Sequence, residues 1–342
     1  MAKNYVSTTA PFNGVSPQIQ RPIAFIGQGA VVLGRTTLGR GAWLDDFAVI
    51  RADGHFVEIG DDFYLGEHGT VHIAHDIYPT RIGDRVSVGS RAIVHACDVA
   101  DDCVIEREAI VLDGSKIGSG AILSAGSVVF PRSELDGGWL YAGSPAKPVS
   151  RVTREQLETH HLKLRNEKLM RPIASSLNEH EKVDVFIAPS ASVSGNIRCG
   201  TEASIWYGCH LTSGQWHIDI GERTNVQDNS FVVCENADVK IGQDVTIGHN
   251  VTLIDCQIEA NSLIGMGSVI SPGTIVESDV LVAAGSETDF GQRLTGGQIW
   301  AGKPARPIGK MDARKRQMLL GTLPVYCSYA RHFSKTTHQI ID

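Results

Sequence analysis

The feature that most constrains this sequence is an apolar residue that recurs every six positions, often followed by glycine, as in Ile26-Gly27 and Ile82-Gly83. In the N-terminal half the recurring positions are Ile26, Val32, Leu38, Leu44, Ile50, then Ile59, Leu65, Val71, then Ile82, Val88, Val94, and, after one step of five, Val99, Ile105, Val111, Ile117, Leu123 and Val129. A period of six fits neither the 3.6 residues of an α-helix nor the two of an isolated strand. It predicts an all-β solenoid in which three short sides close a coil of 18 residues and parallel coils stack about 4.8 Å apart. We expect glycine at the corners because it tolerates the backbone conformation there.

The C-terminal half repeats this pattern, including its irregular step. Its positions are Ile187, Val193, Cys199, Ile205, Leu211, then Ile220, Val226, Val232, then Ile241, Ile247, Leu253, and, after the same step of five, Ile258, Ile264, Ile270, Val276 and Val282. The offset between the halves is 161 residues before the second insertion and 159 after it, and both halves close alike, at 141–148 and 300–307. The sequence therefore predicts two tandem β-helix domains, residues 1–171 and 172–342.

Each β-helix is expected to be followed by an α-helix. The capping-box sequence at 153–156 predicts a helix that stops near Pro172. The leucines expected to pack it on the solenoid flank are Leu157, Leu162, Leu164 and Leu169. A second helix is predicted from near Asp312 to about Leu320.

Composition and charge narrow the function. No apolar run approaches the roughly 18 residues that a membrane span needs. The net charge of −7 argues against nucleic acid or an anionic membrane as the main partner. Seven cysteines without a CxxC pair, together with an N-terminus that has no apolar segment, predict free thiols and a cytoplasmic location.

Two histidines follow inward residues one coil apart. His72 comes after Val71 and His95 after Val94, so the two imidazoles are expected to stack at one corner, as two ligands of one zinc ion would. A catalytic zinc usually has three protein ligands. In the first half Ser90 occupies the place to look for a third. The second half reverses the pattern: its residues matching His72, His95 and Ser90 are Val233, Ile254 and His249.

At these residues both halves resemble the gamma-class carbonic anhydrases and their hexapeptide-repeat relatives. The stretches that carry the resemblance are 49–53, 71–75 and 93–97 in the first half, and 223–228, 247–249 and 264–267 in the second. The resemblance implies a left-handed β-helix with a C-terminal helix, assembly with trimer-like packing, and zinc between neighbouring β-helices. By resemblance, His72 and His95 are the ligand pair and His249 is the ligand from across the interface. Iron or cobalt is an alternative metal.

Other residues implied by the resemblance divide between the halves in the same way. Arg51 and Asp53 stand in the first half, where the second has Thr212 and Gly214. Asn225, Gln227 and Asp228 stand in the second half, where the first has Tyr64, Gly66 and Glu67. We expect Gln227 and Asn225 to orient the nucleophile or substrate, and Arg51, Asp53 and Asp228 to form a supporting network. This division favours one intact composite site over a decayed relic.

The resemblance implies hydration of CO2, because zinc lowers the pKa of bound water toward 7. Candidates for a proton shuttle are Glu67, His68 and His75. Two other hypotheses remain open: acyl transfer or thioester hydrolysis on a coenzyme A substrate, and a non-catalytic assembly subunit. In each enzymatic case the partner is a small molecule, and exposed solenoid flanks favour a homo-oligomer.

Three cysteines and three further histidines have weaker arguments. Cys234 is a conceivable substitute ligand, but adjacent strand residues point to opposite faces. Cys97 and Cys256 occupy matching positions and are expected to be small packing residues. The remaining candidates without a spacing argument are His55, His210 and His217.

Overall fold

The computed structural model describes residues 5–166 and 184–341, in two compact units. Of these residues, the first unit contains 5–166 together with 336–341, and the second contains 184–335. The N-terminal part of the chain comprises strands β1 Thr8–Ala10, β2 Gln18–Ile19, β3 Phe25–Ile26, β4 Val31–Leu38, β5 Trp43–Leu44, β6 Val49–Ile59, β7 Tyr64–Leu65, β8 Thr70–His72, β9 Thr80–Ile82, β10 Ser87–Val88, β11 Ile93–His95, β12 Asp98–Val99, β13 Val104–Ile105, β14 Ile110–Val111, β15 Lys116–Ile117, β16 Ile122–Leu123, β17 Val128–Val129, β18 Glu134–Leu135, β19 Trp139–Ala142 and β20 Lys147–Arg151, and helix α1 Arg154–Arg165.

The C-terminal part repeats this order of elements. It comprises β21 Phe186–Ile187, β22 Ser192–Cys199, β23 Ser204–Ile205, β24 His210–Ile220, β25 Asn225–Val226, β26 Phe231–Val233, β27 Val239–Ile241, β28 Thr246–Ile247, β29 Thr252–Ile254, β30 Gln257–Ile258, β31 Leu263–Ile264, β32 Val269–Ile270, β33 Ile275–Val276, β34 Leu281–Val282, β35 Arg293–Leu294, β36 Gln298–Ala301 and β37 Arg306–Lys310, then helix α2 Ala313–Phe333 and strand β38 Gln339–Ile340.

Each unit is a left-handed parallel β-helix, as the six-residue period and the resemblance predict. In the first unit one side is the ladder β20-β19-β16-β13-β10-β7-β5-β3, and the long strand β6 serves both other sides. The register pairs Ile93 with Ile110 and Ile110 with Val128, so successive coils advance by 17 and then 18 residues. The shorter coil contains the irregular step of five. Stacking therefore keeps equivalent positions in line along the unit.

The inward apolar residues form the core of each unit. In the first unit Val71, Val94, Ile105 and Val111 are fully buried in one cluster. Each lies above its counterpart in the next coil, which leaves room for branched aliphatic side chains and for few aromatic ones. In the second unit the matching Val232, Leu253, Ile264 and Ile270 are equally buried.

The glycine after the inward residue has a different reason from the one we expect. The left-handed backbone conformation at the corners is adopted by other residue types too, such as Asp62 at φ 55° and Asp102 at φ 60°. Gly83 has no positive φ, but a Cβ on it would lie 2.1 Å from Oδ1 of Asp101 and 2.8 Å from its backbone nitrogen. Close approach of the next coil therefore requires glycine there.

The two helices differ from prediction in extent. Helix α1 begins with the predicted capping box between Thr153 and Gln156. Its Leu164 is buried, but Leu162 is 63% exposed and does not pack on the flank. Leu169 and the stop near Pro172 lie outside the described residues. Helix α2 continues past the predicted end at Leu320 to Phe333.

Aromatic packing explains the length of α2. Tyr326, Tyr329 and Phe333 make edge-on contacts with the buried ring of Trp206. These contacts stabilise a helix that contains Pro324, which lacks an N–H for the i→i−4 hydrogen bond. Among the described residues, no helix has both the length and the apolar character needed to cross a membrane.

The C-terminal strand belongs to the first unit. Strand β38 pairs antiparallel with β1, with Thr8 opposite Ile340. The domain boundary that the sequence predicts, between residues 171 and 172, places these last residues in the second domain. The structure groups 336–341 with the first unit. A two-residue strand carries too little pattern for the sequence to reveal this pairing.

Because coil stacking depends on filled inward positions, Ile105→Ala should lower the free energy of unfolding by about 2–5 kcal/mol through the cavity it leaves. The measurement is urea unfolding followed by circular dichroism. Leu162→Ala, at an exposed site, is the matched control and should change stability by less than about 0.5 kcal/mol. Equal effects of the two substitutions would contradict this account of the core.

Candidate metal centre

Two imidazoles of the first unit face each other. Strands β8 and β11 pair in register with His72 opposite His95, which is the stacking that the coil count predicts. Nδ1 of His72 lies 3.3 Å from Nε2 of His95, and both side chains are buried. The two rings are inclined by 55°.

The outer nitrogens of these imidazoles each contact a carboxylate. Nε2 of His72 lies 2.9 Å from Oδ1 of Asp53, and Nδ1 of His95 lies 2.6 Å from Oδ1 of Asp113. Ionised carboxylates only accept hydrogen bonds, so the nitrogens that face them carry the hydrogens. In the neutral tautomers that these contacts favour, the lone pairs are on Nδ1 of His72 and Nε2 of His95, the two atoms that face each other.

This arrangement fits a bound metal ion. Two nitrogens that bind one tetrahedral zinc at about 2.0–2.1 Å lie about 3.3 Å apart. Without a cation, two lone pairs at such a distance repel each other. Carboxylates behind metal-binding imidazoles are the usual means of fixing their tautomer and orientation.

Arg51 supports this pair through Asp53. Both side chains are fully buried, and Nη1 of Arg51 contacts Oδ2 of Asp53. Asp53 thus accepts from Arg51 with one oxygen and from His72 with the other. The guanidinium compensates the buried carboxylate, which on its own would be strongly destabilising.

The second unit has one histidine with the same kind of support. His249 follows β28 and is fully buried, with Nδ1 at 3.2 Å from Oδ2 of Asp228. The other oxygen of Asp228 accepts from the backbone N–H of Tyr207 at 3.1 Å. Nδ1 of His249 thus lies beside a carboxylate, as one ring nitrogen of His72 and one of His95 do.

Two amides lie on the same ladder of the second unit. Nε2 of Gln227 donates to Oδ1 of Asn225 at 3.0 Å, and Nδ2 of Asn225 donates to Oγ1 of Thr246 at 3.2 Å. All three side chains are buried. The chain of hydrogen bonds fixes the Gln227 amide and makes its Oε1 an acceptor for water or substrate.

Asp113 is the site residue that the sequence analysis missed. It lies 18 residues after His95, and by the later offset of 159 its counterpart in the second half is Pro272. The half that has the two histidines thus also has both of their carboxylates. The sequence signal that could reveal Asp113 is its replacement by Pro272 in the second half, at a position one coil after His95.

The proposed proton-shuttle residues lie in different surroundings. His68 is buried and stacks on Phe47 with centroids 5.0 Å apart. His75 lies on the loop after β8, with its side chain 44% exposed and Nε2 at 3.4 Å from Asp76. Glu67 lies on the turn after β7.

All seven cysteines are thiols outside disulfides. Burial raises the pKa of the Cys234 thiol, whose Sγ donates to the carbonyl of His217 at 3.5 Å. Burial also raises the pKa of Cys97 and Cys256, and both side chains are buried as expected of packing residues.

Asp113→Asn removes the carboxylate that fixes the tautomer of His95. We expect metal affinity to fall by about 10–100-fold, because such carboxylates hold ligand histidines in orientation. Competition for zinc with a chromophoric chelator measures the change. Asp98→Asn, at a half-exposed carboxylate 3.4 Å from Arg81, is the control and should leave affinity unchanged. A loss of equal size in both variants would contradict the role of Asp113.

The raised thiol pKa values predict slow modification of the native protein. Burial raises the pKa of Cys103 to about 12, so this thiol stays protonated at pH 8, and Cys97 and Cys256 behave alike. A disulfide reagent at pH 8 should label these three slowly in the native protein, and all seven cysteines in guanidinium. Peptide mapping identifies the labelled positions, and rapid native labelling of Cys103 would contradict the prediction.

Comparison with known proteins gives matches in both halves. A family model described as "Hexapeptide repeat of succinyl-transferase" matches residues 79–112 and 256–286. Gamma carbonic anhydrase 2, mitochondrial, of Arabidopsis thaliana is 38% identical over 135 residues, which is 37% of this chain and 49% of that protein. Gamma carbonic anhydrase 3, mitochondrial, of the same organism is 32% identical over 198 residues, 55% of this chain and 73% of that protein.

A bacterial protein and a solved structure extend the comparison. Protein YrdA of Escherichia coli (strain K12) is 37% identical over 152 residues, 43% of this chain and 82% of that protein. A putative acetyltransferase from Desulfovibrio desulfuricans G20 has the same fold, with a TM-score of 0.53 and 13% identity over 99% of this chain and 87% of that one. This chain spans about half the length of the first two plant relatives, 49% and 57%.

Proposed function

The chain belongs to the gamma carbonic anhydrase-like hexapeptide-repeat family, and from this premise we propose that it is a zinc-dependent enzyme that hydrates CO2 or catalyses related hydrolysis. The proposed metal site takes His72 and His95 from the first unit and His249 from the second. Asp53, Asp113 and Asp228 orient these histidines, with Arg51 behind Asp53. Iron or cobalt is the alternative metal.

The observation that carries the proposal is the pairing of each histidine with a carboxylate of its own unit. The distances are 2.9 Å for His72, 2.6 Å for His95 and 3.2 Å for His249. Each carboxylate takes one ring nitrogen and leaves the other for a ligand. Three imidazoles are the number that a catalytic zinc site requires.

Complementary loss in the two copies also supports one shared site. Where the first unit has His72, His95, Asp53 and Asp113, the second has Val233, Ile254, Gly214 and Pro272. Where the second unit has His249, Asp228, Gln227 and Asn225, the first has Ser90, Glu67, Gly66 and Tyr64. Independent decay of two copies would more often remove a function from both.

The chain's own residues have separate tasks in this reaction. A zinc ion bound by His72, His95 and His249 would supply Lewis acidity that activates water. Oε1 of Gln227 would accept a hydrogen bond from water or orient the substrate, since its amide nitrogen already donates to Asn225. The proton leaves through a surface group, for which His75 is an exposed candidate.

The remaining parts of the proposal follow from the family. The substrate is a small molecule, CO2 with bicarbonate or an acyl thioester, and copies assemble into a homo-oligomer with trimer-like packing of β-helices. A cytoplasmic location stays a prediction.

Metal analysis of purified protein tests the composite site. We expect near-stoichiometric zinc in the parent protein and its loss in both His72→Ala and His249→Ala, because removal of one of three ligands weakens binding. His217→Ala, which removes a half-exposed histidine 3.7 Å from Asp238, is the control and should retain zinc. Zinc retained by the His249→Ala variant would contradict the composite site.

Stopped-flow measurement of CO2 hydration on the same proteins then tests the activity. Gln227→Ala should keep its zinc and lose about 10²-fold in kcat/KM, the order of loss expected from a misplaced reactant. Zinc binding without hydration of CO2 would contradict carbonic anhydrase activity. A thioesterase screen would then distinguish the acyl-transfer hypothesis from the assembly-subunit hypothesis.

A further inference from the structure

A buried threonine connects the two strand ends that bear His72 and His95. Thr80, the first residue of β9, is fully buried. Its hydroxyl donates to the backbone carbonyl of His72 and accepts from the N–H of Ala96 at 2.9 Å. Ala96 directly follows His95, and its N–H also lies 3.0 Å from the carbonyl oxygen of His72. One hydroxyl thus links the backbone of one ligand residue to the residue after the other.

The corner occupied by Ala96 needs such a constraint. Ala96 has φ 51°, in the left-handed region that alanine rarely adopts. A residue keeps such a conformation only where surrounding interactions fix it. The hydrogen bonds from its N–H are of this kind, and the side chain of the preceding His95 depends on the same corner for its direction.

The second unit uses a different device at the same position. By strand register Thr80 pairs with Val57, and Val239 pairs with Ile218, so the counterpart of Thr80 is Val239, which has no hydroxyl. The counterpart of Ala96 is Asp255, whose carboxylate accepts from the N–H groups of Glu235 and Asn236 at 2.7 and 3.0 Å.

The backbone contact at this corner is also looser in the second unit. The N–H of Asp255 lies 3.3 Å from the carbonyl oxygen of Val233, compared with 3.0 Å for Ala96 and His72. Val233 and Ile254 have no polar atoms to align. The unit that has the histidine pair thus stabilises this corner with the Thr80 hydroxyl, and the unit without the pair does so with the Asp255 carboxylate.

We propose that Thr80 is a positioning residue that sets the separation of His72 and His95 for metal binding. The inference rests on the proposed function, since it takes these histidines as ligands. The Thr80 hydroxyl acts on the backbone of both strand ends. Its effect is to hold Nδ1 of His72 and Nε2 of His95 at the 3.3 Å that one ion requires.

The test compares Thr80→Val, which keeps the shape and removes the hydroxyl, with Thr80→Ser, which keeps the hydroxyl. Thr274→Val is the matched control, because Thr274 is also fully buried and its hydroxyl lies 2.9 Å from that of Thr288 in the second unit. We expect Thr80→Val to weaken binding of zinc by about 10–100-fold, as loss of other supporting groups does. The zinc affinity of Thr80→Ser should lie within about threefold of that of the parent protein, and the zinc affinity of Thr274→Val should equal that of the parent.

Two further readouts separate positioning from general stability. In the metal-free protein, Thr80→Val should speed hydrogen exchange of the Ala96 amide at least tenfold while the thermal midpoint falls no more than in Thr274→Val. With cobalt, the visible spectrum of Thr80→Val should change in intensity, because the ligand geometry is altered.

The outcomes distinguish this inference from the proposed function. If the parent protein loses zinc on His72→Ala but Thr80→Val binds zinc like the parent, the positioning role is wrong and the metal site stands. If His72→Ala retains zinc, the proposed function fails, and the role of Thr80 fails with it. An equal loss in Thr80→Val and Thr274→Val would also overturn the inference.

Discussion

Parallel stacking of coils is the constraint on which the rest of the structure depends. Each coil pairs its backbone with the coils above and below, so a residue's neighbours are set by the coil length and not by nearby sequence. His72 and His95 meet although 23 residues separate them, because both occupy the same register position. The glycines permit this approach, as the 2.1 Å clash of a Cβ on Gly83 with Asp101 illustrates. The buried core, the glycines at the corners and the histidine pair therefore all depend on the stacking of coils.

Carboxylates also orient the histidines that this register brings together. The carboxylates of Asp53 and Asp113 direct the hydrogens of His72 and His95 outward, so that the lone pairs face each other. Such an arrangement is unfavourable for two neutral rings and favourable around a cation. The guanidinium of Arg51 compensates the buried carboxylate of Asp53. The second unit repeats the principle once, with Asp228 beside His249.

The sequence was sufficient for features that depend on the repeat. Counting by sixes predicted the β-helices, the duplication and the stacking of His72 on His95, because inward position follows directly from the period. Features set by side-chain geometry across coils were not predictable in this way. Asp113 contacts His95 from the next coil, and Thr80 contacts the backbone of His72 from the following side of the solenoid. Helix α2 extends to Phe333 because Trp206 offers an aromatic surface. The tail strand β38 depends on pairing with a strand more than 300 residues away.

The charge pairing also bears on why the copies diverged as they did. Removing one member of a buried, paired set such as Arg51, Asp53 and His72 leaves an uncompensated group and is destabilising by about 3–5 kcal/mol, so such a set tends to be kept or lost as a whole. This agrees with the lack of all three in the second unit, which has Thr212, Gly214 and Val233 in their places. The linkage operates within each unit, because the pairs His72–Asp53, His95–Asp113 and His249–Asp228 all lie within one unit. It does not relate the losses in one copy to those in the other. A second cause is therefore needed for the observation that each copy keeps the residues that the other lacks. The proposed metal ion, bound by histidines of both copies, is one such cause.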